Sequence, residues 1–238
     1  MSDWPHDLEE TRKLAEAGDA EAQFRLGATY ACGIGTPTDY AEAFKWYRKA
    51  ADQGVPSAQY NLGNMYYKGA PPDYAEALKL FRKAAEKGHV LAQYNLGNMF
   101  YGGHGVQRDY TEAANWYNKA ANRGNGKAQY NLAFMYYNGE GVPKDDVEAV
   151  RWWRMLAEEG VYDAQHRLGL AYFMGEGVPK DDIEAYAWFN LSAIKDARTR
   201  RDVLEFIFTP EQKARAQQRS NELQKEIDAK IAARAAGK

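Results

Sequence analysis

The sequence predicts an all-α protein built as a solenoid of five tandem helix-turn-helix units. Three observations carry this. The octapeptide AQYNLGNM stands at residues 58–65 and again, unchanged, at 92–99, with the shorter copy AQYNL at 128–132. The Ala-Gln pair at its head recurs at Ala22-Gln23, Ala58-Gln59, Ala92-Gln93, Ala128-Gln129 and Ala164-Gln165, at intervals of 36, 34, 36 and 36 residues. A second block follows each copy, from DYAEAFKWYRKAADQG at 39–54 to DDIEAYAWFNLSAIKD at 181–196. A catalytic site is assembled once from dissimilar residues. A phrase repeated at a fixed period is a structural unit that buries its apolar face by stacking on copies of itself.

The units span about residues 19–54, 55–88, 89–124, 125–160 and 161–196. Ahead of them, LEETRKLAEAG at 8–18 resembles the end of the second block, which predicts a lone opening helix over residues 6–18. Each unit then holds two helices. In the first helix of unit two, Ala58, Leu62, Met65 and Tyr66 follow the i, i+4, i+7, i+8 rhythm of one buried face. In the second, Ala77, Leu80, Phe81, Ala84 and Ala85 do the same.

Turn chemistry separates them. Gly33, Gly69, Gly103, Gly139 and Gly175 are placed to end each first helix in the left-handed conformation that glycine adopts without steric cost. Asp39, Asp73, Asp109, Asp145 and Asp181 stand where an N-cap carboxylate accepts from the orphan amides of the second helix. The shortened turn of unit two, KGAPPDY, accounts for the single 34-residue interval.

Glycine inside the first helix, at Gly27, Gly63, Gly97 and Gly169, costs about 1 kcal/mol each relative to alanine. Repeating that cost makes sense where two helices cross too closely for a β-carbon, and Ala133 holds the same place in unit four. The aromatic pairs Trp46-Tyr47, Trp116-Tyr117, Trp152-Trp153 and Trp188-Phe189 are expected to fill space between neighbouring units.

LGNMYYKG, LGNMFYGGHGVQRD, LAFMYYNGEGVPKD and LGLAYFMGEGVPKD together resemble the Sel-1-like repeat family, kin of the tetratricopeptide repeats, over about three quarters of the chain. The resemblance implies a right-handed superhelix whose first helices line a concave groove. It also implies a scaffold or adaptor that holds other proteins or peptides. The solenoid is expected to occupy residues 1–196, with 197–238 as a helical cap. In that tail, Thr209-Pro210-Glu211-Gln212 is a helix start with N-cap, proline in the first turn and a capping-box glutamine. The last helix is expected to fray beyond about residue 232.

The groove face follows from register. The positions after each Ala-Gln, and four and seven residues further on, share one side of the first helix, away from the Ala/Leu stripe. This set gives Tyr60, Asn64 and Tyr67 in unit two, and Tyr94, Asn98 and Tyr101 in unit three. It continues with Tyr130, Phe134 and Tyr137 in unit four and His166 in unit five. In the related tetratricopeptide repeats this face points at the ligand, and an Asn at the middle position bonds peptide backbone. Asn carries both donor and acceptor, and Tyr gives stiff contact area with a polar tip. The competing expectation is that the tyrosines pack between units and the asparagines bond helix ends.

Composition narrows the function. The net charge is −2 and the pI about 6.1, which points away from nucleic acid and membrane surfaces as partners. No window approaches the roughly 18 apolar residues of a spanning helix. One cysteine, Cys32, precludes an intrachain disulfide, and MSDWPHDLEE shows no signal-peptide pattern. A cytoplasmic location is expected, or a periplasmic or secreted one if a signal has been removed. His6, His89, His104 and His166 are scattered without metal-ligand spacing, so neither metal nor cofactor is expected.

SAIK at 192–195 matches the Ser-x-x-Lys of serine β-lactamases and penicillin-binding enzymes, but Ser-x-Asn and Lys-Thr-Gly partners are lacking. The primary reading is therefore a non-enzymatic adaptor binding a protein or peptide segment. The alternatives are a β-lactamase-like, cell-wall-directed hydrolase and an architectural subunit that self-associates through its C-terminal helix.

Overall fold

The computed structural model describes residues 8–237, and these form thirteen α-helices. Residues 6 and 7 of the expected opening helix lie outside the described residues. The chain divides into two compact units, at residues 1–123 and 124–238.

The first unit holds α1 (Leu8–Glu16), α2 (Ala20–Cys32), α3 (Tyr40–Asp52), α4 (Pro56–Lys68), α5 (Tyr74–Glu86), α6 (Val90–Gly102) and α7 (Tyr110–Ala121). Each helix packs on the next in sequence, the arrangement of stacked hairpins in an α-solenoid. Asp39, Asp73 and Asp109 cap α3, α5 and α7 by accepting from backbone amides of the first turn. Gly33 and Gly103 end α2 and α6 in the left-handed region. Gly69 differs, with φ −59° and ψ 164°. The short turn leads straight into Pro71 and Pro72, and Asp73 N–H closes it by donating to Tyr66 O at 3.0 Å.

The intrahelical glycines do stand at close approaches. A β-carbon on Gly27 would meet the Tyr47 ring at 2.7 Å, and one on Gly63 the Phe81 ring at 2.8 Å. The aromatic pairs also reach across units, as expected, since Tyr47 shares a buried cluster with Ala58, Leu62 and Leu80 of the next hairpin. In the hairpins that have a glycine at this place, the second aromatic lies against it, in the space the missing side chain leaves. The first, such as Trp46, packs with Ala15 of α1 and with Ala22 and Leu26 of its own hairpin.

Two further sets of contacts join successive hairpins. Arg12 donates to the Tyr30 hydroxyl at 3.0 Å and Arg48 to Tyr66 at 2.6 Å. In addition, Gln53 donates to Gly18 O at 3.1 Å, Lys87 to Gly54 O at 2.7 Å, and Arg123 to Gly88 O. Each of these last three comes from the end of a second helix and reaches the carbonyl that closes the previous one.

The second unit holds α8 (Gly126–Asn138), α9 (Asp146–Ala157), α10 (Tyr162–Met174), α11 (Asp182–Leu191), α12 (Lys195–Ile207) and α13 (Pro210–Ala236). Asp145 and Asp181 cap α9 and α11, and Gly139 and Gly175 close α8 and α10 in the left-handed region. Gly169 lies 2.6 Å, by the same β-carbon measure, from the Phe189 ring. Both α12 and α13 pack on α11. The helix α13 starts with the predicted Thr209–Gln212 capping box and buries Ala216, Ser220, Leu223 and Ile227 as one stripe. It is helical to Ala236, and near its end Lys230 pairs with Glu158 at 2.6 Å and Arg234 with Glu159 at 2.7 Å.

Candidate functional site

The side chains predicted to line the groove lie on α4, α6, α8 and α10, one helical face of each. All ten are half-buried except Tyr101, which is 39% exposed. None is packed away completely, while the Ala/Leu stripe on the opposite side of the same helices is buried.

In the first unit, Tyr60 stacks on His89 with ring centroids 4.6 Å apart, and Tyr94 lies 6.0 Å from Tyr117. The Tyr67 hydroxyl is 3.0 Å from His104 Nδ1, and His104 stacks in turn on Tyr74 at 5.2 Å. Burial holds the Tyr67 phenol above its ordinary pKa, so it remains a neutral O–H. Tyr101 sits 5.1 Å from Tyr110. The two middle asparagines are both engaged at one end. Asn64 Oδ1 accepts from Asn95 Nδ2 at 3.1 Å, and Asn98 Oδ1 accepts from the Tyr117 hydroxyl at 2.7 Å. These amides bond side chains within neighbouring helices rather than the helix ends of the competing expectation.

In the second unit the same face changes character. Tyr130 and Phe134 make an edge contact at 5.0 Å, and Phe134 and Tyr137 lie 5.7 and 5.5 Å from Trp153. The Arg167 guanidinium stands 4.5 Å over the Phe134 ring. Tyr137 donates to Glu176 at 3.1 Å. His166 Nε2 lies 3.1 Å from Asp196, which also takes Arg200 at 3.0 Å. Burial pulls the His166 pKa below its ordinary value, against the opposing pull of Asp196. The Arg200 guanidinium holds the Asp196 carboxyl below the usual carboxylate range.

Residues outside the ten candidates complete the site. Tyr117 and Asn95 set the orientation of the two middle asparagines, and His104 and Glu176 hold the outer tyrosines. His104 and Glu176 occupy the same place in the Gly-rich turns of units three and five.

Ser192 does not resemble a nucleophile. It is 3% exposed at the C-cap of α11, donates to Tyr162 O at 2.9 Å and accepts from the Ile194 amide. Among the described residues no group of three or more His, Cys, Asp or Glu side chains could hold a metal ion, and no helix is long and apolar enough to cross a membrane.

Consecutive helix hairpins carrying one recurring polar-aromatic face define an α-solenoid repeat protein. Residues 20–55, 56–89, 90–125, 126–161 and 163–196 each match the Sel1 repeat. These matches cover most of the chain, which belongs to the Sel1 repeat family.

Among solved structures, the chain is similar to c5321, a protective antigen of uropathogenic Escherichia coli with an SLR fold. Identity is 34% and the TM-score 0.77, over 95% of this chain and 50% of that one. A Sel1 repeat protein from Oxalobacter formigenes aligns with 34% identity and TM-score 0.70, over 79% of this chain and 84% of that one. Among curated proteins, a 57-residue stretch is 37% identical to the ERAD-associated E3 ubiquitin-protein ligase component HRD3A of Arabidopsis thaliana. That stretch is 24% of this chain and 8% of HRD3A. A putative Sel1-like repeat-containing protein L21 of Acanthamoeba polyphaga mimivirus is 42% identical over 59 residues, 25% of this chain and 11% of that protein. The chain thus spans about a tenth of the length of these curated relatives.

Proposed function

We propose that this chain is a non-enzymatic adaptor that binds a peptide or protein segment along the exposed face of its first helices. One observation carries the reading. Asn64 and Asn98 stand at the same place on successive first helices, half-buried and flanked by tyrosines, with hydrogen-bonding capacity left over after their contacts to Asn95 and Tyr117. An amide has more sites than one neighbour can fill, and a peptide backbone supplies complementary groups. The naming of HRD3A as a ligase component, a protein that works in an assembly, is in keeping with this role. The burial and backbone hydrogen bond of Ser192 weigh against the hydrolase alternative.

The test is a comparison of wild type with the double substitution Asn64→Ala, Asn98→Ala. Partner capture from a host lysate should fall while the melting temperature holds. Unchanged capture with a sharp drop in melting temperature would mean that these side chains are structural and the groove reading is wrong.

A further inference from the structure

The middle position of the groove face changes chemistry along the chain. It is Asn64 and Asn98 in the first unit, and Phe134 and Leu170 in the second. Neither a phenyl ring nor an isobutyl group can hydrogen-bond a peptide backbone. The second unit therefore reads a partner through side chains.

The position three residues before the middle one joins neighbouring first helices. Asn95 on α6 reaches back to Asn64 on α4 at 3.1 Å. Arg167 holds the same place on α10 and also reaches back, its guanidinium 4.5 Å over the Phe134 ring on α8. A cation has taken the place of a neutral amide. It is half-buried, and among the described residues it forms no salt bridge.

The next helix shows the same place with a counter-charge. Both α10 and α12 are 13 residues long and start without a side-chain cap, and they bury Ala164 and Ala171, and Ala197 and Leu204, at matching places. In that register Arg200 matches Arg167, and Asp196 matches Asp163. Arg200 donates to Asp196 at 3.0 Å. Arg167 is turned over Phe134 instead and makes no such pair with Asp163. A guanidinium carries several donors in one plane and takes carboxylates through them, and partial burial strengthens that pairing.

The register also carries the groove face onto α12. Val203 matches Leu170 and Phe206 matches Phe173, and they are 54% and 88% exposed. With Ile207, also exposed, they form an apolar patch of the kind that marks a protein contact.

We infer that the second unit recognises an acidic-apolar segment of its partner. A carboxylate side chain of that segment pairs with Arg167, and bulky apolar side chains beside it pack on Leu170, Val203 and Phe206. An uncharged polar peptide would leave the cation without a counter-charge and the patch bare. This inference rests on the groove reading and adds the chemistry of the ligand in the second unit.

The experiment pans a phage library of random dodecapeptides over the full chain and measures the leading peptide by fluorescence anisotropy. Wild type should enrich Asp or Glu beside Leu, Phe, Met or Trp. Replacing the acid of the leading peptide by its amide should weaken binding about tenfold. Arg167→Asn should weaken the acidic peptide by the same factor and leave the amide peptide unchanged. Asn61, Asn95 and Asn131 stand at this place in other hairpins, so the variant is expected to fold. Phe206→Ser, at an exposed position, should weaken the acidic peptide several-fold without lowering the melting temperature.

Enriched peptides with no excess of acids, or an acidic peptide that binds Arg167→Asn as it binds wild type, would overturn the pairing. Equal weakening of both peptides by Arg167→Asn would make Arg167 structural and overturn it too. Unchanged binding to Phe206→Ser would overturn the apolar contact with α12. A library that enriches no peptide overturns the whole inference, and the lysate comparison of the double Asn variant then judges the groove by itself.

Discussion

A β-carbon on Gly97 would stand 2.6 Å from two atoms of the Tyr117 ring. The same relationship holds for Gly27 with Tyr47, Gly63 with Phe81 and Gly169 with Phe189, so the hairpin is closed by a ring seated on a glycine. Gly63→Leu should therefore damage the fold. Overpacking costs about 1–3 kcal/mol and sometimes more, outweighing the roughly 1 kcal/mol that leaving glycine gains in helix propensity. Thermal denaturation should show a melting temperature lower by several degrees. An unchanged or higher value would mean that the ring moves aside at no cost.

His89 caps α6 by accepting from the Ala92 amide at Nδ1, 3.3 Å away, and stacks on Tyr60. Burial lowers its pKa below the usual 6.5. The unfolded chain therefore takes up the proton more readily than the folded one. The stability tied to His89 is complete above pH 6.5 and is lost as pH falls through that value toward the lower folded pKa. Protonation of Nδ1 also removes the cap acceptor. His89→Asn should keep a cap, as Asn125 does for α8, and flatten the fall in melting temperature between neutral and mildly acidic pH. An identical pH profile for the variant would refute the assignment.

The end of α13 is held by Lys230–Glu158 and Arg234–Glu159, both solvent-facing. Exposed pairs contribute about 0.2–1 kcal/mol each and weaken in salt. Glu158→Gln with Glu159→Gln should speed amide exchange over residues 228–236 several-fold. High salt should do the same to wild type. The first half of α13, anchored by Ala216, Ser220 and Leu223, should not change. Equal exchange across the whole helix in the variant would show that the ion pairs do not hold it.

Ser192→Ala removes a buried donor and leaves the Tyr162 carbonyl without it. The expected cost is about 1 kcal/mol in stability. Nitrocefin should remain intact with wild type and variant alike. Hydrolysis by wild type that disappears in the variant would reinstate the enzyme reading.

Much of the fold was legible because the repeat sets local chemistry out five times. Asp39, Asp73, Asp109, Asp145 and Asp181 cap helices as their spacing implies, and Gly103, Gly139 and Gly175 close them. Gly69 departed because two prolines within a shortened turn leave no room for the left-handed closure. The periodicity of a single helix placed all ten candidate groove residues on one face of their helices. It could not say what their polar ends touch. The contacts Asn64–Asn95, Asn98–Tyr117 and Tyr67–His104 join residues 31, 19 and 37 positions apart, and such pairings depend on how hairpins stack. The long reach of α13 was hidden for a similar reason, since Glu158 and Lys230 are 72 positions apart.

The bonds from Gln53 to Gly18, Lys87 to Gly54 and Arg123 to Gly88 all run from a later segment to an earlier one. Their acceptors are main-chain oxygens of glycines that end finished helices. Each added pair of helices in this half of the molecule is thereby tied by a side chain to a main-chain oxygen at the end of an earlier helix, the nearest-neighbour linkage by which a repeat array is extended.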